Sequence, residues 1–229
     1  MKTKTIKNAF IKTIPVMVGY LVLGAGFGIL MKNAGYGILM TFIMSVTIFA
    51  GSMQYVGVSL MTSGASILTT AITTFMVNAR HIFYSISMIE KYKDTKPYKP
   101  YIIFGLTDET YSLLCDINIP DDIDKNLFYF CVTLFNQSYW VIGSAIGNAI
   151  SSHLPFSTDG IEFSMTALFV ATFTEQWITN KNHLPAITGI LSSMICLIIF
   201  GKENFLIPSM IIITLILSIT KSKMEVENV

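Results

Sequence analysis

Residues 33–89 read NAGYGILMTFIMSVTIFAGSMQYVGVSLMTSGASILTTAITTFMVNARHIFYSISMI, and Arg80 is the single charged side chain among them. A helix rising ~1.5 Å per residue needs ~20 apolar residues to cross ~30 Å of hydrocarbon, so this run is long enough for two spans. Placing them at 36–60 and 65–89, with a break at Thr62-Ser63-Gly64, leaves Arg80 flanked on both sides by sequence fit for a bilayer. A guanidinium there is costly unless it faces a partner, a wet cavity or a ligand. Arg80 is also the only arginine in the chain. Arginine stays charged and presents a planar fork that matches a carboxylate. The expectation is a membrane protein that handles a carboxylate-bearing solute.

Outward from this run, further spans are expected at 12–32, 127–151, 161–178, 185–201 and 205–220. That predicts an all-α polytopic membrane protein with about seven transmembrane helices, a single transporter domain over 1–229. The stretch 101–114 is semi-apolar and holds Asp108-Glu109, so it is read as a re-entrant or amphipathic segment. Lys2, Lys4, Lys7 and Lys12 favour a cytoplasmic N-terminus. Counting spans from there puts the Lys91–Lys99 loop outside, against the positive-inside bias. Gly24-x-x-x-Gly28 is echoed by Gly143-x-x-x-Gly147, Met40-Thr41 by Met165-Thr166, and Gln54-Tyr55 by Gln176-Trp177. These echoes predict two three-helix halves, 13–90 and 127–201, related by inverted topology, with 205–220 as an extra final helix.

Composition narrows the function. Hydrophobic residues make up 52% and charged residues 13%, far below the roughly one quarter usual in soluble domains. A net charge of +1 offers no field for nucleic acid. Cys115, Cys131 and Cys196 lack paired spacing, and His81, His153 and His183 form no HExxH, so no metal or cofactor is expected.

Three places could carry chemistry. Phe49-Ala50-Gly51-Ser52-Met53-Gln54 mixes a glycine with side chains that compete for backbone hydrogen bonds, so the helix is expected to break there. A broken helix inside a membrane must line a cavity, and its freed N-terminus favours a carboxylate. Asn78, Arg80, His81 and Tyr84 form the second place; Arg80 and Tyr84 share one helix face, Asn78 and His81 another. The third is the set of acids. Glu175 follows the uncharged residues 163–174 and precedes Gln176, which suits a proton carrier or a partner for Arg80; Asp108 and Glu109 are the other candidates.

In their order along the chain, the glycines of the first span, Phe-Ala-Gly-Ser-x-Gln at 49–54, Asn-x-Arg-His-x-x-Tyr at 78–84, Thr-Asp-Glu at 107–109 and Glu-Gln-Trp at 175–177 carry a resemblance. Over roughly 10–220 the chain resembles the AzlC-type (azaleucine-resistance) proteins, large subunits of bacterial branched-chain amino acid exporters. The resemblance implies about seven spans in the cytoplasmic membrane of a bacterium and a small four-span partner of the AzlD type. It also implies export of leucine, isoleucine, valine and sometimes methionine. No Walker A motif is present, since Gly201-Lys202 is followed by glutamate. Proton-driven export is therefore the reading. Its rivals are a channel or non-transporting scaffold, and a membrane-embedded transferase built on His81 and Ser85.

Overall fold

The computed structural model describes residues 2–115, 117–120, 122–153, 160–161, 163–179 and 182–226. Its elements are α1 (Lys2–Asn33), α2 (Ile38–Thr47), α3 (Gly51–Thr62), α4 (Ile67–Asn78), α5 (Arg80–Met88), α6 (Lys99–Phe104), α7 (Asp108–Cys115), α8 (Lys125–Ile150), α9 (Phe163–Thr179), α10 (Leu184–Asn204) and α11 (Leu206–Val226), with a 3₁₀ turn at Ser151–His153. No strand occurs among the described residues. Lys2–Asn33 and Leu184–Gly201 are the described helices both long and apolar enough to span on their own, with mean hydropathies of 2.0 and 2.1.

The core is a parallel pair, α1 against α8. At one end the Asp124 amide donates to the Thr5 hydroxyl at 3.3 Å, and at the other the Asn148 side chain donates to the Gly28 carbonyl at 3.3 Å. Glycines let the backbones touch. A Cβ on Gly24 would lie 2.8 Å from the Trp140 carbonyl oxygen and one on Gly143 2.7 Å from that of Leu21, while Gly28 and Gly147 are tighter still. Such close approach is how small-residue faces associate without a hydrophobic drive. Asp124 caps α8 through the amides of Asn126 and Leu127, at 3.0 and 3.1 Å. The two GxxxG motifs are thus partners in one interface. Inversion would set α1 and α8 antiparallel, so the inverted-repeat expectation built on these glycines is corrected.

The run 36–60 does not form one span either. Helix α2 stops at Thr47, the chain turns through Ile48-Phe49-Ala50, and α3 doubles back. The Gln54 side chain reaches across the turn to the carbonyls of Met44 and Ile48, at 2.9 and 2.7 Å. In a continuous helix Gln54 and Met44 would be ~15 Å apart. Tyr55 then ties α3 to the Leu23 carbonyl at 2.7 Å, and Val58 packs with Met44 and Phe27 in one buried cluster. The break falls just before Gly51-Ser52, so these residues begin the second arm.

A second hairpin enters from the opposite end, where α6 and α7 are joined by Gly105-Leu106-Thr107. Gly105 is pressed against Thr133, whose side chain occupies the place of a Cβ. Lys91 donates to the carbonyls closing α7, at 2.8 Å to Leu114 and to Cys115 as well. Between the hairpins run α4 and α5, joined through Ala79, which keeps helical angles of −54° and −31°. Their 22 residues from Ile67 to Met88 reach ~33 Å, a full crossing. They deliver Met88 and Tyr92 into a cluster with Ala9, Leu114, Ile123 and Phe128. The Lys91–Lys99 loop therefore lies at the same end as the N-terminus, where Lys4 pairs with Asp122. That placement corrects the span count, which had set the loop on the opposite side.

Candidate functional site

The two hairpin tips meet beside Arg80. From the first come Gly51 and Ser52, at the N-terminus of α3; from the second come Thr107, Asp108 and Glu109, at the N-terminus of α7. Gly51 is glycine for a local reason: a Cβ there would sit 2.9 Å from the ring of Trp140. The Thr107 hydroxyl caps α7 by accepting from the Thr110 amide at 3.3 Å. Acids in the first turn of α7 match the positive end of the helix dipole.

Arg80 joins the two tips. Its Nη2 makes an ion pair with Asp108 at 2.9 Å and donates to the Ser52 hydroxyl at 2.6 Å. The guanidinium also lies over the Phe169 ring of α9, 5.1 Å from its centroid. Two atoms of the ion pair, Arg80 Nε and Asp108 Oδ1, are buried with no hydrogen-bond partner among the described residues. Unpaired groups of this kind are costly in a fold and are rare without a role. Glu109 accepts from the Tyr20 hydroxyl at 2.6 Å, and that hydroxyl also meets Thr107 at 2.7 Å.

Arg80, Ser52, Asp108, Glu109, Tyr20 and Trp140 help line one small, narrow cavity. A second, roomier and more open cavity adjoins it through Phe49, Ala50 and His81, with Ile48, Ile103, Phe104 and Leu106 as apolar walls. One is charged and the other largely oily.

Of the residues expected from sequence, Gly51, Ser52, Arg80, His81, Asp108 and Glu109 come together here. Asn78 lines the adjoining cavity and its carbonyl accepts from or meets His81 Nδ1 at 3.0 Å. Tyr84 sits one turn below, stacked on Tyr111 with centroids 4.7 Å apart. Gln54 stands behind the site: it is fully buried, bonded to the α2 carbonyls, and accepts from Trp140 Nε1 at 2.6 Å. Glu175 and Gln176 belong to α9, but their side chains lie outside the described residues. Among the described residues the acid that pairs with Arg80 is Asp108. Sequence reasoning missed Tyr20, Trp140 and Phe169, which have no distinctive spacing; Tyr20 stands out only as the one hydroxylated aromatic in the glycine-rich α1.

A family profile described as "AzlC protein" matches residues 15–154. The branched-chain amino acid transport protein AzlC of Bacillus subtilis is 43% identical over 219 residues, covering 96% of this chain and 86% of that one. An uncharacterized membrane protein of Helicobacter pylori is 38% identical over 222 residues, 97% of each chain. The inner membrane protein YgaZ of Escherichia coli is 25% identical over 168 residues, 69% of this chain and 68% of its own. No solved structure matches. With membrane proteins as relatives along nearly its whole length, this helical membrane protein belongs to the AzlC family.

Proposed function

We propose that this chain is the large subunit of a secondary transporter exporting branched-chain amino acids across the bacterial cytoplasmic membrane. The observation that carries it is the Arg80–Asp108 pair at the meeting of two hairpin tips, with Arg80 Nε and Asp108 Oδ1 buried and without a hydrogen-bond partner among the described residues. A zwitterion can satisfy both: its carboxylate takes the arginine fork and the amides opening α3, and its ammonium takes the acids opening α7. The aliphatic tail enters the adjoining cavity against Ile48, Phe49 and Leu106. The B. subtilis relative, named for branched-chain amino acid transport, supports that substrate class.

Topology supports the orientation. Counting α1, α4–α5, α8, α9, α10 and α11 as crossings, with hairpins α2–α3 and α6–α7 re-entrant from opposite sides, gives both termini on one side. With that side cytoplasmic, Lys2, Lys4, Lys7, Lys91, Lys93, Lys96, Lys99 and Lys125 lie at the cytoplasmic end, as the positive-inside bias favours. In this reading the 1–229 chain is one transporter domain. The proton-motive force drives it, with Asp108, Glu109 or Glu175 as coupling acid, and each hairpin tip gates the site from its own side. The exposed apolar surface of α4, α10 and α11 meets lipid and a small four-span AzlD-type subunit.

The test is counterflow of labelled leucine and valine in proteoliposomes. Arg80→Lys keeps the charge and loses the fork, and with it one or two charge-assisted hydrogen bonds of about 1.5–3 kcal/mol each. Substrate affinity should fall by roughly 10-fold to 100-fold or more. Unchanged counterflow at equal protein level refutes the assignment of Arg80.

A further inference from the structure

We propose that the Glu109 carboxylate is the point where cargo and coupling proton exclude each other. Ionised, it holds the substrate ammonium; protonated, it holds the coupling proton after the substrate has left. This rests on the transport reading above and deepens it by naming the coupling site.

Geometry singles out Glu109 among the acids. Asp108 is committed to Arg80 at 2.9 Å, whereas Glu109 has no ion pair among the described residues. Its Oε2 is held at 2.6 Å by the Tyr20 hydroxyl, a neutral donor. The groups facing it are Tyr20 from α1, Arg80 and His81 from α5, Asp108 beside it on α7, and Trp140 from α8. Both hairpin tips border the same cavity, so a group there can be reached from either side as the tips part.

Charge balance gives the stoichiometry. With Glu109 protonated, the cluster Arg80, Asp108 and Glu109 is neutral. With Glu109 ionised it carries one negative charge, which the ammonium of an entering zwitterion meets directly. In low dielectric an unpaired carboxylate is strongly disfavoured, so the site is stable when Glu109 carries a proton or faces the ammonium of a bound zwitterion, whose carboxylate Arg80 takes, and unstable when it does neither. The cycle then balances. On the inner side Glu109 gives its proton to water and the amino acid binds; on the outer side the amino acid leaves and Glu109 takes a proton from water. One proton enters for each neutral amino acid exported, so one positive charge moves inward per turn. Tyr20 is a positioning residue, donating to the ionised form and aiming the carboxylate into the cavity.

The experiment uses the full chain in proteoliposomes and labelled valine. For the wild type, valine affinity should weaken by about tenfold per pH unit on the acid side of the Glu109 titration. Adding valine to the lightly buffered protein in that range should release one proton per bound amino acid. Glu109→Gln, a fixed mimic of the protonated form, should lose most valine affinity and counterflow at every pH and release no proton with the valine it still binds, and Tyr20→Phe should displace the pH midpoint while counterflow survives. Valine binding without proton release, or uncoupling by Glu175→Gln while Glu109→Gln stays coupled, overturns the proposal and leaves the transport reading standing. Absence of any valine counterflow in the wild type overturns both.

Discussion

Replacing Gln54 by methionine tests whether one amide holds the first hairpin closed. The two side chains are similar in length and volume, so packing changes little and the loss is polar. Gln54 makes three hydrogen bonds: to the Met44 carbonyl at 2.9 Å, to the Ile48 carbonyl at 2.7 Å, and from Trp140 Nε1 at 2.6 Å. The carbonyls keep backbone donors, since Ile48 N bonds Met44 O at 2.9 Å and Ala50 N bonds Ile48 O at 2.8 Å. Each therefore forfeits an ordinary net hydrogen bond, about 0.5–1.5 kcal/mol, whereas the buried Trp140 N–H is orphaned at about 1–3 kcal/mol. Together these give about 2–6 kcal/mol. At roughly 2–4 °C per kcal/mol for a chain of this size, the expected fall in melting temperature centres near ~10 °C. Gly51 and Ser52 follow the turn directly, so the tip should lose its place beside Arg80 and counterflow should drop with it. Thermal unfolding of the purified protein in detergent, with counterflow measured alongside, reads both effects. A shift below ~2 °C with normal counterflow would show that Gln54 does not hold the break.

Two more outcomes are expected. Gly28→Leu should separate α1 from α8, because a side chain there meets the backbone of Ser144 and Asn148 rather than anything that can swing away; the cost of overpacking, about 1–3 kcal/mol or more, should appear as reduced thermal stability and folded yield, and a stable variant would refute the close glycine contact. At the N-terminal end, a hydrogen bond from Lys4 holds the Asp122 carboxyl below its ordinary range. A depressed value means that the latch is intact above the unfolded carboxylate value of ~3.9 and is lost as pH falls through the folded one. Hydrogen exchange of residues 2–9 should therefore accelerate in acid, and Asp122→Asn should show that rate already at neutral pH; a pH-independent wild type would refute the latch.

The sequence revealed which polar residues meet at the hairpin tips more readily than the topology that brings them there. A lone arginine in an uncharged run, a helix break near Gly51 and an acidic pair at Asp108-Glu109 were all legible, because charge in hydrocarbon and glycine among polar side chains have few explanations. The direction taken after the break was not legible. A run such as 36–60 has the same hydropathy whether it crosses or folds back, and only the reach of Gln54 to Met44 tells the two apart. Reading it as a crossing reversed the side of the Lys91–Lys99 loop. The glycine echoes were real and their meaning was mistaken, since self-similar packing faces attract each other as readily as they mark duplicated helices. Tyr20 was hidden for a simpler reason: its importance comes from Glu109, 89 positions away in the chain.

The parallel contact between α1 and α8 has a consequence for how the chain is made. Helix α1 leaves the ribosome first, yet the glycines that receive it follow about 120 residues later, a delay of roughly 6–24 s at ordinary elongation rates. During that interval the bare groove at Gly24 and Gly28 is open to any other small-residue helix in the membrane, including α1 of a neighbouring nascent chain. Both hairpins are synthesised in the same interval, before the helix that walls their tips. Correct assembly thus depends on α1 lingering near the insertion machinery until α8 arrives. Slowing translation between the two should lower the yield of folded protein more than an equal pause placed after Ile150.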